Sequence, residues 1–313
     1  MILLVGSGNM AIEYAKVLVA QKKNFIVVGR SKTGAKRFTD ITGLKCADGG
    51  LEKYLNESES TFSHAIVATN VTSLYENSLL LLNHGIKKIL IEKPGALNLK
   101  EFTDLRTLAT EKKANVFIGY NRRFYASVIA LKELISSNMS ISAEMELTEW
   151  IHEFKSLNKS PKEMNKLFLT NTTHVVDTCF YLIGSPKEIS SKVSGGLDWH
   201  KSGSIFIGTG ITKDKNFFSY HGNWGSGGRW SIKLYTPQKK YLLEPLEKLS
   251  FIKLGTVNVQ EVQNIDYTLD LKFKPGIYLQ TESFLSDRTK NLCTVEEQLN
   301  SYKFYQKMAG YVE

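Results

Sequence analysis

A lysine and a histidine in this sequence stand where they could exchange a proton with a substrate. Lys93 follows Glu92 at the end of the apolar run "KKILIEKPG", and Pro94 turns the chain directly after it. His174 and Asp177 lie one helical turn apart in "NTTHVVDTCFYLIG". Oxidising an alcohol requires a base for the hydroxyl proton while the C–H hydrogen leaves as hydride, and a lysine or a histidine suits that role. Lys93 and His174 are therefore candidate acid/base residues, and the catalytic roles predicted for them depend on the motifs that accompany them in the sequence.

The turn after the first apolar run has the spacing of a dinucleotide-binding site. "VGSGNMA" reads Gly6-x-Gly8-x-x-Ala11 between a predicted strand and a predicted helix. Gly6 permits a tight turn, Gly8 lets the backbone approach a pyrophosphate, and Ala11 keeps helix and strand close together. The helix N-terminus also offers N–H groups to the phosphates. The predicted phosphate contacts are Gly6, Gly8, Asn9, Met10 and Ala11.

The end of the second predicted strand indicates which nicotinamide cofactor is preferred. Chains that bind NAD usually carry Asp or Glu about 20 residues after the glycine turn, but "VVGRSKTGAKR" contains no carboxylate. Arg30, Ser31 and Lys32 could instead bind a 2′-phosphate through charge-assisted hydrogen bonds. We expect NADP(H) to be preferred over NAD(H), with a solvated basic loop as the alternative reading.

Short apolar runs alternate with helical patterns through the first third of the chain. This alternation indicates a parallel sheet covered on both faces, which is a doubly wound α/β domain over residues 1–119. Ligands of such sheets bind beyond the carboxyl ends of the strands. Thr69 and Asn70 end the fourth predicted strand, and Glu92 and Lys93 end the fifth. All four are therefore predicted to contact the cofactor.

The pattern changes after residue 119. A helix is predicted over residues 123–138, and later polar–apolar alternation indicates an antiparallel sheet with one exposed face. Residues 120–313 are thus predicted to form an α+β domain. The segment "WGSGGRW" is interpreted as a strand connection, with a substrate contact as the alternative. An exposed sheet face that carried Phe206, Tyr220, Trp230 and Tyr235 should associate, so we expect a homodimer or homotetramer through this sheet.

The charge and cysteine content of the chain indicate which classes of ligand and which compartment to expect. The 313 residues include 40 basic and 31 acidic side chains, a net charge of +9 that favours anionic ligands. The basic residues are dispersed without a nucleic-acid-binding motif, so nucleic acid is not an expected partner. Polar residues break the opening run, so neither a signal peptide nor a membrane span is expected. Three distant cysteines and scattered histidines predict a reducing, cytoplasmic compartment and no metal or disulfide.

These motifs together resemble the Gfo/Idh/MocA oxidoreductases. The glycine turn, Glu92-Lys93-Pro94, "GYNRRF" at residues 119–124 and the helical His174-x-x-Asp177 follow the family's order and spacing. The resemblance implies an N-terminal Rossmann domain and a C-terminal α+β domain with a large open, mainly antiparallel sheet. It implies that Lys93 contacts the reacting oxygen and that His174 is an acid/base. The predicted substrate contacts are Lys93, Tyr120, Arg123, Asn171 and His174.

Two details qualify these roles. Adjacent side chains of an extended segment point opposite ways, so at most one of Arg122 and Arg123 is expected to face a substrate. Many family members have Asp four residues before the histidine, where this chain has Thr170. Threonine cannot act as a carboxylate base, so the proton path is open and Lys93 can carry more of it than His174.

The resemblance implies hydride transfer between a nicotinamide cofactor, which the basic residues after the second strand predict to be NADP(H), and a carbon of a small molecule, a sugar or sugar derivative. A nucleotide-linked or acidic sugar fits the positive charge of the chain. Two alternatives stay open: reduction of a non-sugar carbonyl, and a regulatory protein of the same fold that binds the cofactor without catalysis. The presence of Lys93 and His174 argues against the second, because a sensor needs no acid/base.

Overall fold

The strands of the structure follow the short apolar and alternating runs of the sequence. The computed structural model describes residues 1–135, 139–156 and 159–311. The strands in this part of the chain are β1 Ile2–Val5, β2 Phe25–Val28, β3 Cys46–Ala47, β4 His64–Val67, β5 Lys88–Glu92, β6 Asn115–Gly119, β7 Ser142–Glu146, β8 Pro186–Ser194, β9 Ile205–Thr212, β10 Phe217–Asn223, β11 Ser231–Tyr235, β12 Lys239–Leu243, β13 Ser250–Lys253, β14 Val259–Glu261 and β15 Cys293–Thr294.

The helices follow the segments with a helical repeat of apolar residues. They are α1 Asn9–Ala20, α2 Lys32–Thr42, α3 Leu51–Glu57, α4 Leu74–Asn83, α5 Leu99–Glu111, α6 Ala126–Leu134, α7 Ile151–Ser156, α8 Pro161–Asn165, α9 Thr173–Ile183, α10 Thr268–Lys272, α11 Ile277–Leu285 and α12 Val295–Ala309. A π-helical turn, Phe168–Thr172, leads directly into α9. The helix predicted over 123–138 is α6, and its last predicted residues, 136–138, lie outside the described residues.

Two compact units make up the chain. Residues 1–121 and 269–300 form the first, and the described residues of 122–268 and from 301 onward form the second. The first division lies close to the predicted boundary after residue 119. The predicted second domain, 120–313, also contained residues 269–300, which instead lie in the first unit.

The first unit is built on a seven-stranded sheet in the order β15-β6-β5-β4-β1-β2-β3. Strands β1 to β6 are parallel to their neighbours, and β15 alone among the described strands of this sheet pairs antiparallel, with β6. The continuous apolar runs of β1, β4 and β5 are buried on both faces because helices cover both sides of a doubly wound sheet. The predicted Rossmann-type fold is confirmed.

The second unit is built on an eight-stranded sheet in the order β14-β13-β12-β11-β7-β10-β9-β8. It is antiparallel apart from the β7–β10 pair, which confirms the predicted mainly antiparallel α+β domain. Helix α9 packs on β7 and β11. Side chains alternate along β10, where Phe218 and Tyr220 are buried and Phe217 is exposed.

One expectation about this sheet is wrong. Phe206, Tyr220 and Trp230 were expected on the exposed face, but all three are buried in the core of the second unit. Of the four predicted aromatics only Tyr235 is exposed. The alternation of β9 and β10 explains the difference, because it is Ile207 and Phe217 that point to the other face of the sheet.

No helix among the described residues combines the length and the apolar character that a membrane crossing requires.

Candidate functional site

The glycine turn of the first unit has the shape that a pyrophosphate requires. Gly6 has a φ of +124°, and a Cβ there would lie 2.3 Å from the carbonyl oxygen of Ala68. Gly8 precedes α1, and a Cβ on Gly8 would meet no described atom within 4 Å. No described side chain caps α1, so its first N–H groups and partial positive charge can serve a bound anion. The turn therefore fits the phosphates of a dinucleotide.

The basic residues after β2 lie near this turn. Arg30, Ser31 and Lys32 are exposed, and the Ser31 hydroxyl caps α2 by accepting a hydrogen bond from Gly34 N at 3.1 Å. Arg37, one turn further along α2, donates from Nη2 to Asn9 Oδ1 at 2.8 Å. Sequence reasoning missed Arg37, whose only signal was its place in the helix after the basic loop.

The remaining predicted cofactor residues follow neighbouring strands. Because β1, β4 and β5 are adjacent and parallel, their carboxyl ends share one edge of the sheet. Thr69 is half-buried and Asn70 exposed beyond the end of β4, and Lys93 is half-buried beyond the end of β5. The glycine turn, Thr69, Asn70 and Lys93 are thus brought to the same edge, where ligands of doubly wound sheets bind.

Glu92 is not a surface residue of this edge. Its carboxylate is buried and accepts a hydrogen bond from the Tyr14 hydroxyl at 2.7 Å, and the same hydroxyl lies 3.3 Å from Gln280 Oε1. Burial raises the pKa of Glu92, while Tyr14, Lys93 and Lys274 oppose that rise. Burial next to this carboxylate also raises the pKa of Tyr14 well above its usual value. The hydrogen bond from Tyr14 therefore holds Glu92 in place at the end of β5, one residue before Lys93.

His174 lies in the first turn of α9 in the second unit. It is buried, and its ring centroid is 6.0 Å from that of Trp230. Thr170 is buried in the π-helical turn before it, so the position where the family often has aspartate holds a hydroxyl. Such π-turns occur frequently at functional sites.

Arg123 is held away from solvent by an ion pair. Its Nε donates to Asp177 Oδ2 at 2.8 Å and its Nη2 donates to Asp177 Oδ1 at 2.5 Å, and both side chains are buried. A bidentate pair of this kind satisfies both carboxylate oxygens. Of the two adjacent arginines it is Arg122 that stays half-exposed. The substrate contact predicted for Arg123 stays a prediction, and the geometry favours Arg122 for it.

A buried carboxylate that sequence reasoning missed lies beside the π-helical turn. Glu149 accepts hydrogen bonds from Thr172 Oγ1 at 2.6 Å, from Asn171 Nδ2 at 3.0 Å and from Arg229 Nη1 at 2.9 Å. Burial raises the pKa of Glu149, and these three donors oppose the rise. The side-chain amide of Asn171, predicted to bind the substrate, is therefore already engaged with Glu149.

Two arginines lie against the indole that neighbours His174. The guanidinium carbon of Arg122 is 4.7 Å from the centroid of the Trp230 ring, and that of Arg229 is 4.3 Å from it. Arg229 also lies 4.8 Å from the ring of Trp150. The connection "WGSGGRW" thus brings Arg229 next to the residues around His174, and we name Arg122, Arg229 and Trp230 the arginine–tryptophan cluster.

The structure sorts the predicted substrate residues between the two units. Lys93 and Tyr120 belong to the first, and Arg123, Asn171 and His174 to the second. Tyr120 is packed into the hydrophobic core of the first unit with residues such as Ile91 and Ile118. Lys93 and His174 remain the residues whose types suit proton transfer.

Comparison with known proteins agrees with the sheet and turn of the first unit. The model of the family GFO_IDH_MocA, described as "Oxidoreductase family, NAD-binding Rossmann fold", matches residues 1–120. The curated relative "Putative oxidoreductase YceM" of Salmonella typhimurium is 27% identical over 191 residues, which are 60% of this chain. The match spans 58% of that relative's length.

Solved structures extend the likeness to nearly the whole chain. An oxidoreductase of Agrobacterium radiobacter in complex with NAD⁺, L-tartaric acid and magnesium has a TM-score of 0.78 at 12% identity, covering 97% of this chain and 94% of its own. The WlbA dehydrogenase of Bordetella pertussis in complex with NADH and UDP-GlcNAcA has a TM-score of 0.73 at 12% identity, covering 98% and 93%. At these identities the likeness shows a common fold.

Proposed function

We propose that this chain, whose residues 1–120 match the model of the Gfo/Idh/MocA oxidoreductase family, transfers a hydride between NADP(H) and a carbon of a sugar or sugar derivative. The observation that carries the proposal is Lys93 at the carboxyl end of β5. That edge of the sheet also holds the glycine turn, Thr69 and Asn70. A proton-handling group and a dinucleotide site thus share one ligand-binding edge.

The residues of the first unit fit the cofactor. Backbone N–H groups at Gly8, Asn9 and Met10 would hold the pyrophosphate, and Thr69 and Asn70 would line the path towards Lys93. When bound, the nicotinamide supplies or accepts the hydride.

The preference for NADP(H) rests on charge. Arg30 and Lys32 follow β2, where chains that bind NAD usually present a carboxylate, and Arg37 lies further along α2. A carboxylate at that place would repel a 2′-phosphate, whereas these basic residues would attract it. The two solved structures described above contain NAD⁺ and NADH and so do not support this preference. The preference depends on the basic residues of this chain alone.

We propose Lys93 as the principal proton donor and acceptor, and His174 as a second candidate acid/base in the second unit. Thr170 offers no carboxylate to relay a proton to His174. Lys93 would give a proton to the carbonyl oxygen during reduction and take it from the hydroxyl during oxidation, so that proton and hydride move in a balanced pair.

Two observations favour a sugar over another carbonyl compound. WlbA, which shares the fold of the whole chain, was solved with UDP-GlcNAcA. The net charge of +9 also favours an anionic, nucleotide-linked substrate. A reductase of a non-sugar carbonyl remains the alternative outcome of the test.

The outward face of the large sheet is proposed to form a homodimer or homotetramer. Phe217 is 65% exposed, Ile207 48% and Tyr235 36%. Phe217 and Tyr235 both pair in register with Ser142 of β7, so the three strands present one partly apolar patch. Light scattering of wild-type protein and of Phe217→Glu tests this, and a wild-type monomer would contradict it.

The cytoplasmic location stays a prediction from the sequence.

The test of the reaction is an assay at the nicotinamide absorbance. Purified protein is incubated with NADP⁺ and a set of UDP-sugars and free sugars, and with NADPH and the matching ketosugars. We expect cofactor turnover with at least one sugar, and turnover more than about 100-fold lower with the Lys93→Ala variant. Tight cofactor binding without turnover on any sugar or simple carbonyl would indicate a regulatory protein instead.

A further inference from the structure

The arginine–tryptophan cluster of the second unit has features of an anion-binding site. Arg122 and Arg229 both stack on Trp230, and the ring of Trp230 lies 6.0 Å from that of His174. Stacking on an aromatic face holds a guanidinium in place while its N–H groups remain able to donate at its edge. Two positive charges are therefore held in fixed positions near a proposed catalytic residue.

The charge of the cluster is only partly compensated. Glu149 accepts one hydrogen bond from Arg229 Nη1, which leaves the other N–H groups of that guanidinium for further partners. Arg122 forms no ion pair with any described residue. The cluster thus carries two guanidinium charges beside one buried carboxylate, an excess of positive charge that attracts an anion.

Buried donors in the cluster also lack acceptors. Trp230 is 4% exposed, and its Nε1 has no hydrogen-bond partner among the described residues. The same holds for the buried Nε atom of Arg122 within the described chain. Buried N–H groups are almost always paired in folded proteins, so donors left over beside a candidate site indicate a ligand or water that accepts from them.

We propose that Arg122 and Arg229, stacked on Trp230, form a subsite for an anionic oxo group of the substrate, a carboxylate or a phosphate. The inference rests on the proposed function, since it takes the ligand to be the substrate of hydride transfer. It assigns specificity to Arg122 and Arg229, whereas Arg123 serves the structure through Asp177. The enzyme would select acidic or nucleotide-linked sugars over neutral ones.

The experiment measures binding by calorimetry with four probes that separate the two sources of anion. Glucose carries neither group, glucuronate carries a carboxylate, UDP-glucose carries a diphosphate, and UDP-glucuronate carries both. Wild-type protein saturated with NADP⁺ is titrated with each. We expect at least one acidic probe to bind at least about tenfold more tightly than glucose, as loss of a charge-assisted hydrogen bond would require.

Substitutions of Arg122 test whether this residue is responsible for the tighter binding of the acidic probe. Arg122→Gln should weaken the preferred acidic probe about 10- to 100-fold and leave glucose binding unchanged. Arg122→Lys should recover part of the loss because it keeps the charge without the planar fork. Lys192→Gln, which removes an exposed positive charge of β8 in the same unit, serves as the matched control. Thermal unfolding and NADP⁺ affinity of each variant verify that it is folded.

The outcomes separate this inference from the proposed function. An acidic probe that binds through Arg122 without hydride transfer would support the subsite and count against the reaction. Turnover of an acidic or nucleotide-linked sugar with unchanged kcat/KM in Arg122→Gln would support the reaction and overturn the subsite. Failure of all acidic probes to bind the wild type more tightly than glucose would overturn it as well.

Discussion

The hydroxyl of Tyr14, on α1, donates a 2.7 Å hydrogen bond to the buried carboxylate of Glu92 at the end of β5. Gln280 on α11 lies 3.3 Å from the same hydroxyl. Helix α1, strand β5 and helix α11 of the first unit therefore meet at one buried polar contact. Glu92 cannot move without disturbing this contact, so the start of the Lys93-Pro94 turn is fixed from inside the unit.

Removing the Tyr14 hydroxyl should weaken the first unit. Tyr14→Phe leaves a buried carboxylate without one of its donors, which should lower the free energy of unfolding by about 1–3 kcal/mol. Urea unfolding followed by circular dichroism measures the change. Tyr54→Phe, at a partly buried tyrosine that packs on Phe62 with ring centroids 6.4 Å apart, is the control and should cost far less. Equal losses in the two variants would contradict a special role for the Tyr14–Glu92 contact.

Lys93→Ala should abolish most of the turnover while the cofactor still binds. A positioned acid/base contributes about 10²–10⁴ in rate, so we expect a loss of more than about 100-fold, roughly 2.7 kcal/mol in the barrier. Steady-state kinetics and a cofactor titration measure both quantities. Lys88→Ala, at the other end of the same strand, should keep near-normal turnover. Near-normal turnover in Lys93→Ala would refute the proposed role.

The basic residues after β2 should discriminate between the two cofactors. Arg30→Ala should weaken NADP⁺ binding by about tenfold or more, because a charge-assisted contact to the 2′-phosphate is lost, and should change NAD⁺ binding little. The dissociation constants of both cofactors are compared by fluorescence titration. Lys100→Ala on α5, where Lys100 pairs with Asp104, is the control. Tighter binding of NAD⁺ than NADP⁺ by the wild type would reject the preference.

Glu149 should make stability depend on pH. In the unfolded chain its carboxyl titrates near the usual value of 4.5, and burial raises its pKa in the folded state. At a pH between the unfolded-state pKa and the folded-state pKa, the folded state binds more protons than the unfolded state. The stabilisation that the Glu149 carboxyl contributes is therefore complete below the unfolded-state pKa and is lost as pH rises through the folded-state pKa. The carboxamide of Glu149→Gln does not titrate in this range.

The measurement is urea unfolding of both proteins from about pH 4 to about pH 8. The difference in unfolding free energy, variant minus wild type, should increase with pH. Glu153→Gln, at an exposed position on α7, is the control and should show a smaller change. A constant difference between Glu149→Gln and the wild type across this range would show that burial does not raise the pKa of Glu149.

The sequence predicts the first sheet and its ligand edge because their signals are local. Continuous apolar runs mark β1, β4 and β5, and the glycines and Lys93 follow directly after their ends. The pairing of the two-residue strand β15 with β6 has no comparable signal, since Cys293 and Thr294 acquire their role only from a partner about 175 residues earlier.

The residues around His174 are predictable only in part. His174 has a motif, and "WGSGGRW" stands out by its glycines. Glu149 has no motif, because its role depends on donors from two separate segments, Asn171 and Thr172 of the π-helical turn and Arg229 of the β10–β11 connection. The choice between Arg122 and Arg123 likewise depends on the position of Asp177, which the local alternation of side chains does not reveal.

The return of residues 269–300 to the first unit has a consequence for synthesis of the chain. The ribosome synthesises residues 1–121 long before α11 and β15. Until those elements are made, the edge of β6 that pairs with β15 is unpaired, and Tyr14 lacks its contact with Gln280. A fragment that ends at residue 121 is therefore an incomplete cofactor domain. Termination of translation before residue 269 should therefore damage nucleotide binding by residues 1–121.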